Sequence, residues 1–390
     1  MGPAGGGRPR AWGRHRVATA LAIVLGVLVV AAVVALLVPV PYEAITPGQG
    51  IPVATLVTVP KARRHHHGGA VVLTDVELVP LRALTWLYYK LQSGVQVVPT
   101  SELTGPATSA QYEEQGVIDM ANARQAATVV ALQTLGYDVR AVPDGVIVYQ
   151  TVPGSPAARR LRVGQVLTAL DGTPVPDVAA LQRAIARKVP GATVTLAYHP
   201  FGRSSPSRRL SVRLGEVRVG RTGGGLYETC LPYGARTSLA RPPAGLATGC
   251  LGITAPALES EQSYRLTGLP FPVHLSSDGI VGPSAGLSFT LGLLQVLAHG
   301  DVTGGLRVAA TGTMSVTGQV GEVGGVAQKT AAVEAAGASV FIVPAAQVGT
   351  AKAHANGRLK VIGVTSLAQA IQDLRRLGGR LGPLPGPGRS

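Results

Sequence analysis

The chain has 390 residues, of which 46% are hydrophobic and 14% charged, with 51 Gly and 29 Pro. This length allows two or three globular domains rich in turns, and the hydrophobic content excludes a wholly disordered chain. The net charge of +15 would suit nucleic acid, but aromatic residues make up only 4% and much of the basic excess lies near the amino terminus, so the composition argues against a nucleic-acid partner.

The first predicted element is an apolar helix over residues 17–38, preceded by a basic tail of residues 1–16. A helix of 22 uncharged residues extends about 33 Å, enough to cross a bilayer core of about 30 Å. A cleaved signal peptide is the alternative, but its apolar core normally has only about 7–15 residues. We therefore expect an uncleaved single-pass anchor in the cell membrane. Arginines before the span place the amino terminus in the cytoplasm and the rest of the chain outside.

A membrane-proximal segment of strands and helices follows over residues 39–125. Apolar runs between Pro and Gly predict strands over residues 53–59 and 70–73 and a short helix over 81–91. Apolar positions three and four apart predict a longer helix over residues 109–135.

Residues 126–216 contain the ordered motif Ser155-Pro156-Ala157, a Leu-Arg-Val-Gly-Gln run, the turn Asp171-Gly172 and a predicted helix over residues 178–186. This order resembles a PDZ domain, although Gln165 stands where Asp is usual. The resemblance implies binding of extended peptide ends by strand addition, with residues 137–144 as the candidate carboxylate loop. The alternative is a small β-rich domain that only separates the next domain from the membrane.

Residues 217–250 form a Gly- and Pro-rich insert that contains Cys230 and Cys250, the two cysteines of the chain. In an oxidising compartment they could form a disulfide, and two free thiols are the alternative. The run His65-His66-His67 follows basic residues, and we interpret it as a solvated loop. The sequence therefore predicts neither a metal site nor a cofactor.

From residue 251 to 376 the pattern becomes α/β. Strands are predicted over residues 271–275, 306–311, 339–343 and 360–364, and helices over residues 284–297, 326–335 and 366–374. The Gly- and Pro-rich tail, residues 377–390, is predicted to be disordered.

A candidate nucleophile, Ser284, lies in the run Gly282-Pro283-Ser284-Ala285-Gly286 before an apolar helix. Backbone N–H groups at a helix amino terminus favour negative charge and suit an oxyanion, and small neighbours such as Gly282 let a substrate backbone approach. The alternative is an N-cap serine in a Gly-rich turn.

A candidate base, Lys329, stands among aliphatic and small residues in a chain with 29 Arg and 6 Lys. A desolvated lysine has a lowered pKa and can accept a proton, which Arg cannot do in a protein. Such an amine could activate Ser284 in a Ser–Lys dyad. The alternative is a lysine that extends from the helix edge into solvent.

These motifs, in this order and spacing, resemble the proteolytic domain of Lon-type proteases, which use a Ser–Lys dyad. The resemblance implies that Thr311, in Ala310-Thr311-Gly312, contacts the catalytic lysine. Two departures are Thr313, where Glu is usual, and Val281, where the family has an acidic residue before the nucleophile. The second departure puts any role of that acid in doubt.

The whole layout resembles the membrane-anchored, PDZ-containing Lon-like proteases of Gram-positive bacteria. The predicted fold is α+β: a transmembrane helix, a small β-rich PDZ-like domain and an α/β Lon-type domain. Since no lysine follows a glycine, the chain has no Walker A loop, and we expect ATP-independent cleavage of flexible or unfolded segments of extracytoplasmic proteins. The PDZ-like domain would engage the substrate. By resemblance, the protein could form a homo-hexamer.

Two alternatives remain open. His274 and Asp278 precede Ser284 and could form a Ser–His–Asp triad with it. The chain could also be a catalytically inactive, membrane-tethered scaffold that binds peptides without cleaving them.

Overall fold

A computed structural model describes residues 12–105, 107–202, 207–222, 225–242, 248–254 and 262–382. The first eleven residues of the predicted basic tail and the last eight of the predicted disordered tail lie outside this range. The described helices, in chain order, are α1 (Trp12–Leu37), α2 (Val53–Leu56), α3 (Ala83–Lys90), α4 (Thr100–Thr104), α5 (Ser109–Thr134), α6 (Pro156–Arg160), α7 (Val178–Ala186), α8 (Gly286–Leu297), α9 (Val326–Ala335), α10 (Val348–His354) and α11 (Leu367–Arg376).

The described strands are given in chain order, first those before the insert and then those within and after it. Those before the insert are β1 (Pro39–Pro52), β2 (Val57–Thr58), β3 (Ala70–Arg82), β4 (Gln96–Pro99), β5 (Arg140–Ile147), β6 (Gln150–Thr151), β7 (Gln165–Leu170), β8 (Thr173–Pro174), β9 (Thr193–Pro200) and β10 (Arg208–Arg213). The remaining strands are β11 (Gly215–Thr222), β12 (Gly225–Leu231), β13 (Gly249–Cys250), β14 (Ile253–Thr254), β15 (Gln262–Thr267), β16 (His274–Leu275), β17 (Arg307–Ala310), β18 (Thr313–Met314), β19 (Val320–Gly321), β20 (Val340–Pro344) and β21 (Lys360–Val364).

The chain divides into two compact units, the smaller formed by residues 1–47 and 77–105. Its long helix α1 includes Ala18–Leu37, which is long and apolar enough to cross a membrane and is not buried by the rest of the protein. The start of α3 is hydrogen-bonded to the end of α1. Ala83 N donates to Val38 O, and the Arg82 side chain donates to Leu36 O. In the same unit β1 pairs antiparallel with β4.

The larger unit, residues 48–76 and 106–390, has an α/β core built on parallel strands. Strand β17 lies between β3 and β20, and β20 pairs with β21, all in parallel register. Strands β17 and β20 and the part of β3 that pairs with β17 are runs of buried, mostly aliphatic residues, as expected where both faces of a parallel sheet are covered, whereas most of the edge strand β21 is half-buried. Every residue of α8 is buried against this core, which explains its apolar composition.

Helix α5 is a second core element, although the predicted domains place all of it outside the Lon-type domain. Thr108 and Gln111 form a capping box at its start, so the helix begins where the sequence predicts. Its buried face, which includes Ala127 and Val130, belongs to the same hydrophobic cluster as α8 and β17. The predicted boundary between residues 125 and 126 therefore falls inside a helix, and the predicted membrane-proximal segment supplies β3 and α5 to the α/β core.

The PDZ-like part is a sheet with strand order β10-β9-β7-β5-β15, with its own hydrophobic cluster. Helix α7 has the bounds that the sequence predicts, and Asp177 caps it by accepting from Ala180 N. Strand β15, which returns the chain to the α/β core, pairs antiparallel with β5 from Arg140 to Val146. The edge of β5 that could accept a peptide strand is therefore paired within the chain.

Three local predictions differ from the structure in part. Residues 53–59, predicted as a strand, contain α2 before the short strand β2, because Val53 packs directly on Gly292 of α8 and tertiary contacts override its β propensity. The insert was expected to be a loop, but β11 and β12 form an antiparallel hairpin within it. The predicted disordered tail starts with residues that are packed: Leu381 is buried, and Arg380 N donates to Asp301 O.

Candidate active site

Ser284 lies in a short 3₁₀ turn, Pro283–Ala285, that leads directly into α8. Gly282, just before the turn, has φ 93°, a left-handed conformation that favours glycine. Its N–H donates to Gly116 O of α5 at 2.8 Å, which fixes the loop on that helix. Ser284 is partly exposed, whereas Ala285 is buried. The loop therefore presents Ser284 at the surface from a rigid support.

Thr311 joins the serine loop to the lysine helix. It follows β17, is fully buried, and donates from Oγ1 to Ser284 O at 3.3 Å. Gly312 N donates to the same carbonyl at 3.0 Å. Lys329 Nζ in turn donates to Thr311 Oγ1 at 3.3 Å. The three predicted residues Ser284, Thr311 and Lys329 thus lie in one chain of hydrogen bonds, in which the Thr311 hydroxyl links the Lys329 amine to the backbone carbonyl of Ser284 and not to its hydroxyl.

Lys329 lies in α9 and is only 2% exposed. Burial lowers its pKa to about 8, and the nearby charge of Asp75 opposes this shift in part. Asp75 follows the stretch of β3 that pairs with β17, and it accepts from Gln49 N at 2.7 Å. The amine is therefore poised to be neutral over an accessible pH range, as a general base must be.

Not every amide at the start of α8 is available for an oxyanion. Gly286 N donates to Pro283 O, and Leu287 N donates to Gly312 O at 3.0 Å. Both amides stabilise the fold of the loop itself. The expectation that free N–H groups of the helix would face a substrate therefore does not hold for these two.

The structure gives no support to the Ser–His–Asp alternative. His274 is exposed on β16, which pairs with β2, and Asp278 is exposed in the turn that follows. The hydrogen bonds of Ser284 run toward Lys329 instead. Its carbonyl accepts from Gly312 N and from the Thr311 hydroxyl, and that hydroxyl accepts from Lys329 Nζ.

Cys230 and Cys250 lie in the insert with an S–S distance of 2.01 Å. Neither is available as a metal ligand. His65 contacts His299 with ring centroids 4.5 Å apart, and His67 Nε2 lies 3.1 Å from Ala298 O. Within the described ranges no group of three or more His, Cys, Asp or Glu side chains is placed to hold a metal ion.

Sequence analysis missed three residues beside the site: Asp75, Gly116 and Asp119. Gly116 approaches Val281 so closely that an added Cβ would lie 3.2 Å from its side chain. Asp119 stands between Ile118 and Met120, in a helix that is otherwise mostly apolar at this point. An acid among buried positions, with no basic residue three or four places on, was the signal that could have identified it.

Two parts of the chain match protein-family models. Residues 133–204 match the PDZ domain, and residues 272–374 match the Lon protease (S16) C-terminal proteolytic domain. The chain therefore contains a PDZ domain and, after it, a Lon-type (S16) proteolytic domain. Together with the apolar helix Ala18–Leu37, a candidate membrane anchor, these matches confirm the predicted fold class and the predicted resemblance.

Similar solved structures cover small parts of the chain. The PDZ domain of an SdrC-like protein from Listeria monocytogenes is 27% identical, covering 18% of this chain and 72% of its own, with a TM-score of 0.16. The PDZ domain of an SdrC-like protein from Listeria innocua is 26% identical, covering 22% of this chain and 93% of its own, with a TM-score of 0.17. No curated protein matches the chain.

Proposed function

We propose that this protein is a membrane-anchored, ATP-independent serine endopeptidase in which Ser284 is the nucleophile and Lys329 the general base. The observation that carries the proposal is the chain of contacts from the buried Lys329 amine, through Thr311, to the backbone of Ser284. An isolated serine is a weak nucleophile, and a neutral amine beside it supplies the missing base.

In the proposed reaction, the Lys329 amine takes the proton of Ser284 Oγ as that oxygen attacks the peptide carbonyl. The amine then gives a proton to the leaving nitrogen, which completes the acyl-enzyme. Lys329 next takes a proton from a water molecule as that water attacks the ester carbonyl. The amine then returns the proton to Ser284 Oγ as the bond from this oxygen to the acyl carbon breaks, which releases the carboxylic acid product and regenerates the serine. Thr311 would position the Lys329 amine and the backbone of Ser284, since its hydroxyl accepts from the amine and donates to the Ser284 carbonyl.

The proposed substrates are flexible or unfolded segments of proteins outside the cytoplasm. No lysine in the chain follows a glycine, so a Walker A loop is absent from the sequence and cleavage should not depend on ATP. The PDZ domain would engage the substrate. Because β15 already pairs with β5, we assign this contact to the cavity of about 470 Å³ between α7 and the disulfide-linked insert.

Peptide hydrolysis by the purified protein tests the proposal. Ser284→Ala and Lys329→Arg should each lower kcat by at least about a thousandfold, because one removes the nucleophile and the other fixes a positive charge at the base. Lys352→Arg, at an exposed lysine of α10, is the matched control and should keep full activity. His274→Ala should also stay active.

The pH profile is a second test of the base. Hydrolysis should rise with pH through about 8, as Lys329 loses its proton. ATP should not change the rate. Peptide binding with no Ser284-dependent hydrolysis at any pH would instead support the inactive scaffold.

A further inference from the structure

A cavity of about 170 Å³ lies directly beside the nucleophile. Pro283, the residue before Ser284, forms part of its wall, together with Met314 of β18 and Tyr264 of β15. Helix α5 contributes Asp119 and Asn122 to the wall, and Thr313, Ser315 and Val316 complete it beside Met314. A substrate side chain next to the scissile bond would have this cavity within reach.

Among the described residues, neither Asp119 nor Asn122 has a charged partner. Asp119 Oδ2 accepts from Tyr149 OH at 2.7 Å, and none of the ion pairs among the described residues involves Asp119. Burial raises its pKa to about 6, with the Tyr149 hydrogen bond opposing the shift, so the carboxylate is charged at neutral pH. Both amide atoms of Asn122 are buried without a hydrogen-bond partner in the described part of the chain.

Such an arrangement is costly unless something binds there. Buried polar atoms are nearly always hydrogen-bonded, and a buried charge without a counter-ion is destabilising. A cavity of this size accepts one side chain. A cationic group with several N–H donors can pair with the carboxylate and donate to the amide oxygen at the same time. Lys and Arg side chains provide such a group.

We propose that this cavity is a specificity subsite of the protease that binds a Lys or Arg side chain of the substrate, with Asp119 as its counter-ion and Asn122 as a further hydrogen-bond partner. The inference rests on the proposed function. Asp119 selects the substrate and does not take part in bond cleavage.

A positional-scanning peptide library, read by mass spectrometry, tests the subsite. At one position relative to the cleaved bond, Lys or Arg should give at least about a tenfold higher kcat/KM than norleucine or Gln of similar size. Asp119→Asn, which keeps the shape and an acceptor for Tyr149, should bring this ratio close to one. Glu113→Gln removes the same charge from an exposed position of α5 and should leave the ratio unchanged.

The pH dependence of the wild-type ratio is a second readout that needs no variant. Among the described residues, Tyr149 donates to Asp119 and Tyr264 lies in the same cavity wall. Burial and the charge of Asp119 raise the pKa of Tyr149 above the ordinary phenol value of about 10, so this phenol keeps its proton as pH falls. As pH falls through about 6, Asp119 takes up a proton, and the ratio of kcat/KM for the basic peptide over the neutral peptide should fall. Lys329 acts on both peptides alike and cancels in the ratio.

The outcomes separate this inference from the proposed function. Ser284-dependent hydrolysis with no basic preference at any position, or with a preference that survives Asp119→Asn, overturns the subsite alone. Absence of any Ser284-dependent hydrolysis overturns both.

Discussion

At the scale of single residues, the buried amine of Lys329 should make the fold less stable than it could be. Its pKa falls from 10.5 to about 8 on folding because burial disfavours the charged form. Below about pH 8 the amine is protonated in both the folded and unfolded chains, and the folded chain bears the full cost of the buried charge. Between about pH 8 and 10.5 only the unfolded chain keeps the proton, so the free energy of unfolding rises with pH across this window.

We therefore expect Lys329→Met to raise the free energy of unfolding at pH 7 by up to about 3 kcal/mol while abolishing hydrolysis. Urea unfolding of the wild type and the variant at pH 7 and pH 10 measures this. The gain should shrink at the higher pH, and Lys352→Met, at an exposed lysine, should show no such pH dependence. A variant less stable than the wild type at pH 7 would mean that the amine contributes more by contact than it costs by burial.

The sequence identified the residues of the site that stand in local motifs and missed those that arrive from elsewhere. Ser284, Thr311 and Lys329 each lie at a strand end or helix start marked by glycines, and the structure brings them together, although their catalytic roles stay predictions. Asp75 and Asp119 come from β3 and α5, which are far away in sequence. Only the packing of these elements on the core shows that their carboxyl groups lie beside the site.

At the scale of elements, the sequence predicted correctly the helices and strands whose apolar residues recur at the spacing that their burial requires. Helices α7 and α9 and strand β21 have the predicted bounds: Asp177 caps the start of α7, Gly325 precedes α9, and β21 is a short, mostly apolar run. Strand β15 was not predicted, because its sequence alternates weakly and its place is decided by pairing with β5. The insert was predicted to be a loop because Gly and Pro are frequent in it. Its hairpin is nevertheless stabilised by strand pairing and by the disulfide between Cys230 and Cys250.

The insert therefore gives a prediction about stability. Cys230→Ser combined with Cys250→Ser opens a loop of about 20 residues and should lower the free energy of unfolding by roughly 3 kcal/mol. Calorimetry should show a lower Tm, and reduction of the wild type with dithiothreitol should reproduce the change. Since the insert lines the cavity beside α7, peptide binding by the PDZ domain should weaken in the same samples. Equal Tm values for oxidised, reduced and substituted protein would contradict this.

At the scale of the whole molecule, the candidate anchor decides where the protease meets its substrates. Ala18–Leu37 has a mean hydropathy of 3.2, and α3 is attached at its end through Arg82 and Ala83. Helix α3 carries further exposed apolar side chains, Leu87 and Tyr88, and Lys90 lies over the ring of Trp86. Aromatic and basic residues of this kind favour the boundary between lipid and water, as expected next to the end of a membrane span.

We expect the full-length protein to keep its amino-terminal arginines after expression in a bacterium, because an anchor is retained whereas a signal peptide is removed. Mass spectrometry of the amino terminus measures this directly, and alkaline carbonate should leave the protein in the membrane pellet. A chain that starts at Val38 is the control and should leave the integral membrane fraction. Protease added to cells stripped of their wall should digest the domains after the helix and spare the basic tail. A mature terminus beyond Leu37 would show that the helix is a cleaved signal and that the protease acts as a secreted enzyme.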